Sequence, residues 1–559
     1  MNLVRVNFIP TLMPPQLLSG CRPNSHGSLM FRMAPYVRFF GVFVVLSSLL
    51  FAGLPAATAM SKFPAGCGWD ASSGWVQREN ARPGDAKWNS GIPIEYAGDF
   101  AGKEMKKRVG GPFAAWLATP VVATAPEGWF SAPSVTCNES VGLHLSGNGS
   151  PVTIKVFRMG YYGGAGARLV EEITTSPISH YSANSPTKPP ESMVTAEWPV
   201  AWFFTVDQKT LPGQYLIRLD DKSGDSNFVP LMVTNPDAKN PVTFISSVLT
   251  WQAYNEWGGY SLYKGPNRTR RSRGMVVSLD RPYDGDGAGQ FRYMEYPIVR
   301  LAEKLGIDLN YLTDFELNRN VSALANTKSI VFGGHSEYWT TSMREAVDAA
   351  VARGINMVSF GGNAGYNRPR LQSNDRQIVM WRGMKSDPNR RNPVLATTRW
   401  RSSPIGRPES TLFGAQYVGL GVNGDYTVAH PLRWPFSVLK HPDKLRGVVG
   451  REVDSPLYSV GPGVEDLAWS EIKLAGKPIT AMATYYTNAK NAGVIDIATN
   501  GWACAINNVC PWYSAHSAET QSDVCLVTQE ILKGLARGPL GLWRPAVIDI
   551  PKRDKAMPL

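Results

Sequence analysis

The chain has 559 residues, 43% hydrophobic and 11% aromatic, with a formal net charge of +12 at pH 7. This composition excludes a disordered chain and is ample for two domains with their own cores. Residues 1–59 hold Arg5, Arg22, Arg32 and Arg38 and no acid, so the remainder carries 12 − 4 = +8, a charge too thinly spread to imply nucleic acid as a partner.

In chain order, the first element is an apolar run from Phe39 to Ala59, preceded by Arg32 and Arg38 and closed by Ala57-Thr58-Ala59. Small residues at that end suit signal peptidase, so residues 1–59 read as a signal peptide and the rest as secreted or periplasmic. The competing reading is an uncleaved membrane anchor of roughly 20 residues, in which case the membrane is met only through this segment. After processing, Cys67, Cys137, Cys504, Cys510 and Cys525 remain, an odd number. Cys504 and Cys510 flank a short loop and are the expected disulfide.

Residues 60–240 alternate apolar and polar positions in runs such as Val152–Phe157 and Tyr215–Leu219, separated by Gly, Pro, Asn and Asp. That rhythm predicts a β-sandwich. Gly160–Arg168 (GYYGGAGAR) has no amphipathic helix after it, so it reads as a turn between strands and not as a phosphate loop.

From Pro241 the rhythm becomes strand, turn, helix, strand, and residues 241–545 read as a mostly parallel α/β sheet domain, with 546–559 as a tail. Pro297 suits the first turn of a helix ended by Gly306, and a strand follows over Ile307–Leu312. Ser329–Phe332 is a strand, Ser342–Glu345 a capping box for a helix carrying Ala346, Val347, Ala350 and Val351, and Ile355–Phe360 the next strand. Asp284, Asp286 and Glu295 share the spacing of a calcium loop, but Ala288 takes a ligand position, which favours a polar turn. Arg268, Arg270, Arg271 and Arg273 form a basic cluster suited to a solvated loop or to attracting an anion. Trp251, Tyr254, Trp257, Tyr260 and Tyr263 could stack on a sugar or flat amide, or pack beneath a sheet.

Ligands of such sheets bind beyond the carboxyl ends of the strands, where His335–Trp339 and Gly361–Asn363 fall. Tyr296, Tyr338 and Glu409 are candidate ligands of a hard metal. A ferric ion with two phenolates and one carboxylate is neutral overall, which lowers the cost of burying it. His335 is a candidate proton shuttle and Asn363 a candidate donor to a substrate carbonyl. Ser336 lacks the final glycine of a nucleophile elbow, and no cysteine lies between Cys137 and Cys504 to act as an amidotransferase nucleophile.

The stretches Thr250–Tyr263 (TWQAYNEWGGYSLY), Asp280–Tyr283, Tyr293–Pro297 (YMEYP), Gly334–Trp339 (GHSEYW), Gly361–Asn363 and Arg407–Tyr417 (RPESTLFGAQY) together resemble the large-subunit family of N,N-dimethylformamidase. The strand-rich segment before them is similar to the β domain of related secreted proteins. The resemblance implies a sheet like that of the glutamine amidotransferases. It also implies a mononuclear ferric ion, Fe(III), held by two tyrosines and a glutamate, and hydrolysis of a small amide. Matched by motif, the ligands are Tyr296, Tyr338 and Glu409, with Glu337 the local rival for the carboxylate. The expected partner is a small amide or glycan-type substrate, with homo-oligomerisation open. The other reading is a non-catalytic secreted carbohydrate-binding or surface-interaction protein.

Overall fold

The computed structural model describes Cys67, Trp69, residues 74–89 and residues 125–558, other than 237, 240, 268, 441–442 and 508–515. The leader read over residues 1–59, Arg268 and Cys510 lie outside the described residues. The described part is mixed α/β with many sheets and more strand than helix. It belongs to one compact unit, Ser61–Leu559.

Two sheets make up the front part. One has five strands, in the order Ser134–Val135, Ser226–Val233, Gly213–Asp220, Pro151–Met159, Ala167–Pro177; the other pairs Glu127–Phe130, Ser140–Ser146 and Val200–Thr205. Their alternating apolar residues meet in one buried cluster that includes Val141, Leu143, Ile154, Val156, Ile217 and Leu231. The glycine-rich stretch is a turn between two of these strands, with Gly163, Gly164 and Gly166 at positive φ. A Cβ on Gly166 would strike the Tyr296 hydroxyl, so this turn can lie against Tyr296 only as glycine.

The large sheet has nine strands. Five are parallel neighbours, in the order Leu309–Thr313, Val242–Ser246, Ser329–Phe332, Asn356–Ser359, Gly493–Asp496. The other four, Lys477–Thr487, Glu465–Leu474, Gln416–Val428 and Lys444–Ser455, continue the sheet in antiparallel pairing. The sheet is therefore evenly mixed, where a mostly parallel one was expected. Glu465–Leu474 and Lys477–Thr487 are joined by Ala475-Gly476, both at positive φ, and a turn that short can join only antiparallel strands.

Helices cover both faces of the parallel half. Ile330 and Phe332 pack on Met343, Val347 and Val351 of the helix Thr341–Ala352. Val331, pointing the other way, shares a cluster with Ile298 and Val299 of the helix Tyr296–Lys304 and with Val527 and Ile531 of Ala518–Arg537. The cap of the helix Thr341–Ala352 is Thr340, whose hydroxyl accepts from the Met343 amide; Ser342, expected to cap it, lies one residue inside. The C-terminal stretch read as a tail is pinned to the body by bridges from Ile550 to Val464 and Arg553 to Gly461.

Candidate functional site

The carboxyl end of the strand Ser329–Phe332 opens into Gly333-Gly334, whose backbone presses close to its surroundings. The Gly334 amide donates to the Met294 carbonyl at 2.6 Å, and a Cβ on Gly361 would collide with the Gly334 carbonyl. This tight passage turns His335, Glu337 and Tyr338 across the strand ends. The Thr250 hydroxyl accepts from the amides of Glu337 (3.0 Å) and Tyr338 (3.2 Å), and the Trp339 indole donates to the Ser336 hydroxyl at 2.9 Å.

Glu337 is the centre of the cluster that results. Its carboxylate accepts from the hydroxyls of Tyr254 and Tyr263, each at 2.6 Å, and from the Asn367 side chain at 2.5 Å. Tyr254 and Tyr263 stack, with ring centroids 4.2 Å apart. Burial, with the charge of Glu452 nearby, raises the Glu337 pKa above its ordinary value. Burial also drives both phenols well above theirs, with Glu337 adding to the shift and Arg382 opposing it at Tyr263. Both tyrosines are therefore protonated donors at neutral pH unless a cation replaces their protons.

His335 stands beside this centre. Its Nε2 lies 3.0 Å from Glu452 and 3.7 Å from Glu337. Burial opposes ionisation of Glu452, but the hydrogen bond and charge of His335 hold its pKa below the ordinary value. Asn500 donates to Glu452 at 3.0 Å and accepts from the Gly362 amide at 2.8 Å. Asn363 has φ 61°, its amide donates to Asp454 at 2.7 Å, and its side chain bonds Glu452. Asp454 is pushed up to about 7, chiefly by burial, and hydrogen-bonds Asp496, which is shifted further in the same direction. Two adjoining buried carboxyls cannot both ionise cheaply, so at neutral pH the pair holds a proton.

The three side chains expected to bind a metal each have a different setting. Tyr296 opens its helix, but the π-helical turn Phe291–Glu295 runs directly into it. Its hydroxyl turns to the front part, donating to the carbonyl of Gly166 at 2.7 Å, and its ring packs on Trp88 and Phe291. Tyr338 accepts from Arg382 at 2.5 Å and lies edge-on to Tyr263. Glu409 is buried and takes both its oxygens to the Arg401 Nε, at 3.2 and 3.1 Å. Among the described residues no hydrogen bond or ring contact joins any two of these three. His335 and Asn363 do come together, through Glu452.

Residues the sequence did not single out as ligands, Tyr254 and Tyr263, form with Glu337 a set of the composition expected, two tyrosines and a glutamate. A signal was available: both follow Val242–Ser246, which lies in parallel with Ser329–Phe332, so they issue from the same edge of the sheet as Glu337. Glu452 and Asp454 had none, because they come from an antiparallel strand with no local motif. The two tryptophans of the aromatic run offer no stacking face. Trp251 and Trp257 are buried, with their indoles on Glu295 and Glu127.

A family model described as N,N-dimethylformamidase beta subunit-like, C-terminal, matches residues 153–515. None of the curated proteins matches. Among solved structures, a cycloisomaltooligosaccharide glucanotransferase from Paenibacillus sp., complexed with cycloisomaltoheptaose, aligns at 9% identity and TM-score 0.16 over 54% of this chain and 61% of that one. The alignment spans less than two thirds of that protein's length, and at that TM-score it carries no argument.

Proposed function

We propose, from the premise that this chain belongs to the N,N-dimethylformamidase beta subunit-like family, that it hydrolyses a carbon–nitrogen amide bond. The observation that carries the reading is the convergence of the Tyr254 and Tyr263 hydroxyls on Glu337, beside His335 and beyond the strand ends. Two phenols and a carboxylate are hard oxygen donors and fit a ferric ion, and the protons now held by the phenols are those such a cation would displace. The fit favours Tyr254, Tyr263 and Glu337 over Tyr296 and Glu409, which are committed to Gly166 and Arg401. A bound ferric ion would supply Lewis acidity toward an amide carbonyl and a water.

The chain's own residues then divide the remaining work. Asn367 fixes the orientation of Glu337. His335, held by Glu452, is placed to take a proton from water and return it to the leaving amine. Glu452 stabilises the imidazolium that forms when it does so, and Asn363 and Asn500 hold Glu452 in place. The disulfide Cys67–Cys137 and the leader-like segment support an exported setting.

Metal content and visible absorption of the chain purified from iron-replete medium test this reading. We expect stoichiometric iron and a tyrosinate-to-iron colour, lost in Tyr263→Phe and kept in Tyr296→Phe. A colourless, iron-free protein would remove the proposal. Loss of colour in Tyr296→Phe alone would return the ligand role to that residue.

A further inference from the structure

Arg281 is a buried cation that the proposed reaction does not use. It is 1% exposed and forms no ion pair among the described residues. Its Nη1 donates to the carbonyls of Trp257 (3.0 Å) and Tyr260 (2.8 Å), and its Nη2 to those of Asn255 (2.9 Å) and Gln252 (3.4 Å). The Nη hydrogens are thereby used, while the buried Nε has no hydrogen-bond partner among the described residues. Carbonyl dipoles satisfy N–H groups without neutralising a full charge. Burial pulls the guanidinium down to about 10, and the opposing effects of Asp284 and Tyr283 offset this only in part.

Arg281 lines a cavity of about 30 Å³ where the front strands meet the α/β part. Trp129 and Gln214 reach it from the strands Glu127–Phe130 and Gly213–Asp220, and Trp251 from the helix Val248–Tyr254. Trp129 brings a second buried donor without a partner among the described residues, its indole Nε1. Arg376 adds another guanidinium, already paired with Asp280 at 2.5 Å and lying 5.9 Å over the Trp129 ring. No carboxylate lines the cavity among the described residues. A water-sized sphere needs about 10–15 Å³, so the space suits a monatomic anion or water and excludes an organic ligand. Unfilled N–H donors and an unbalanced positive charge around one small space without an acid form the donor set of an anion.

We infer that the Arg281 Nε and the Trp129 Nε1 bind a chloride ion in this cavity. The ion braces the stretch that carries Tyr254 and Tyr263, because the carbonyls of Gln252, Asn255, Trp257 and Tyr260 all hang on the Arg281 guanidinium. The inference does not rest on the amide-hydrolase reading.

The test follows the melting temperature of the full chain as sodium gluconate is replaced by sodium chloride at constant ionic strength. Gluconate is too large for the cavity, and screening stays the same throughout. Melting temperature should rise by about 2 °C and then saturate. Trp129→Phe deletes one N–H and keeps a ring against His144, with which Trp129 stacks at 3.8 Å. It should raise the chloride concentration at half-effect about tenfold, and Arg281→Met should abolish the response. If Arg281→Met does not fold, Trp129→Phe alone decides. A melting temperature indifferent to chloride, a rise that never saturates, or a response unaltered in Trp129→Phe overturns the site and leaves the cavity to water.

Discussion

Glu295 shows how much a single buried side chain can be asked to do. It is fully enclosed, accepts from the Ser247 amide at 2.9 Å and the Trp251 indole at 3.0 Å, and is pushed up to about 8 by burial in spite of those donors. Between the ordinary glutamate value of about 4.3 and that folded value, the folded chain keeps a proton that the unfolded chain releases. Stability is therefore greatest at the acid end of this window and falls as pH rises through it. Asp284, at about 6, and Asp454, at about 7, act in the same direction. Melting temperature followed from about pH 5 to pH 8 should decline, and Glu295→Gln, which keeps the neutral shape, should flatten the slope. An unchanged slope in that variant would show that Glu295 is ionised in the fold.

Elements are joined by charge as well as by apolar packing. Arg158, on the strand Pro151–Met159, forms a fully buried ion pair with Glu303 of the helix Tyr296–Lys304 at 2.7 Å. Tyr311 and Asn80 also donate to Glu303. Strand, helix and the segment before them are thus tied at one carboxylate. Glu303→Ala would strand the Arg158 charge in the interior, at a cost of about 3–5 kcal/mol measured by denaturant unfolding; a loss below about 1 kcal/mol would mean that water reaches Arg158. The strands and helices of the parallel half were legible because their apolar period changes cleanly from two to 3.6. The antiparallel half was not, since pairing direction depends on turns such as Ala475-Gly476 that carry no periodic signal.

At the scale of the molecule, the disulfide Cys67–Cys137 ties Cys67, ahead of the front sheets, to the loop after the strand Ser134–Val135, closing a sequence separation of 70 residues. Cys504 is also disulfide-bonded, and Cys525 is free. Removing the first bridge in Cys137→Ser should lower stability by about 2–4 kcal/mol in chemical unfolding, while Cys525→Ser should leave it unchanged. Equal effects of the two substitutions would count against that tie.

By itself the sequence determined that strand-rich segments precede an α/β region and that GHSEYW and Gly361–Asn363 stand at strand ends; a site of two tyrosines and a carboxylate was an expectation taken from the family resemblance. These follow from local period and motif, which need no knowledge of neighbours in space. Only the tertiary structure decided which tyrosines meet which carboxylate. Tyr296 and Tyr254 are both tyrosines in aromatic surroundings, but one phenol is taken by a glycine turn of the front sheets and the other by Glu337. Those partners lie 130 and 83 residues away, and contacts over such separations are fixed by how sheets pack, not by local spacing.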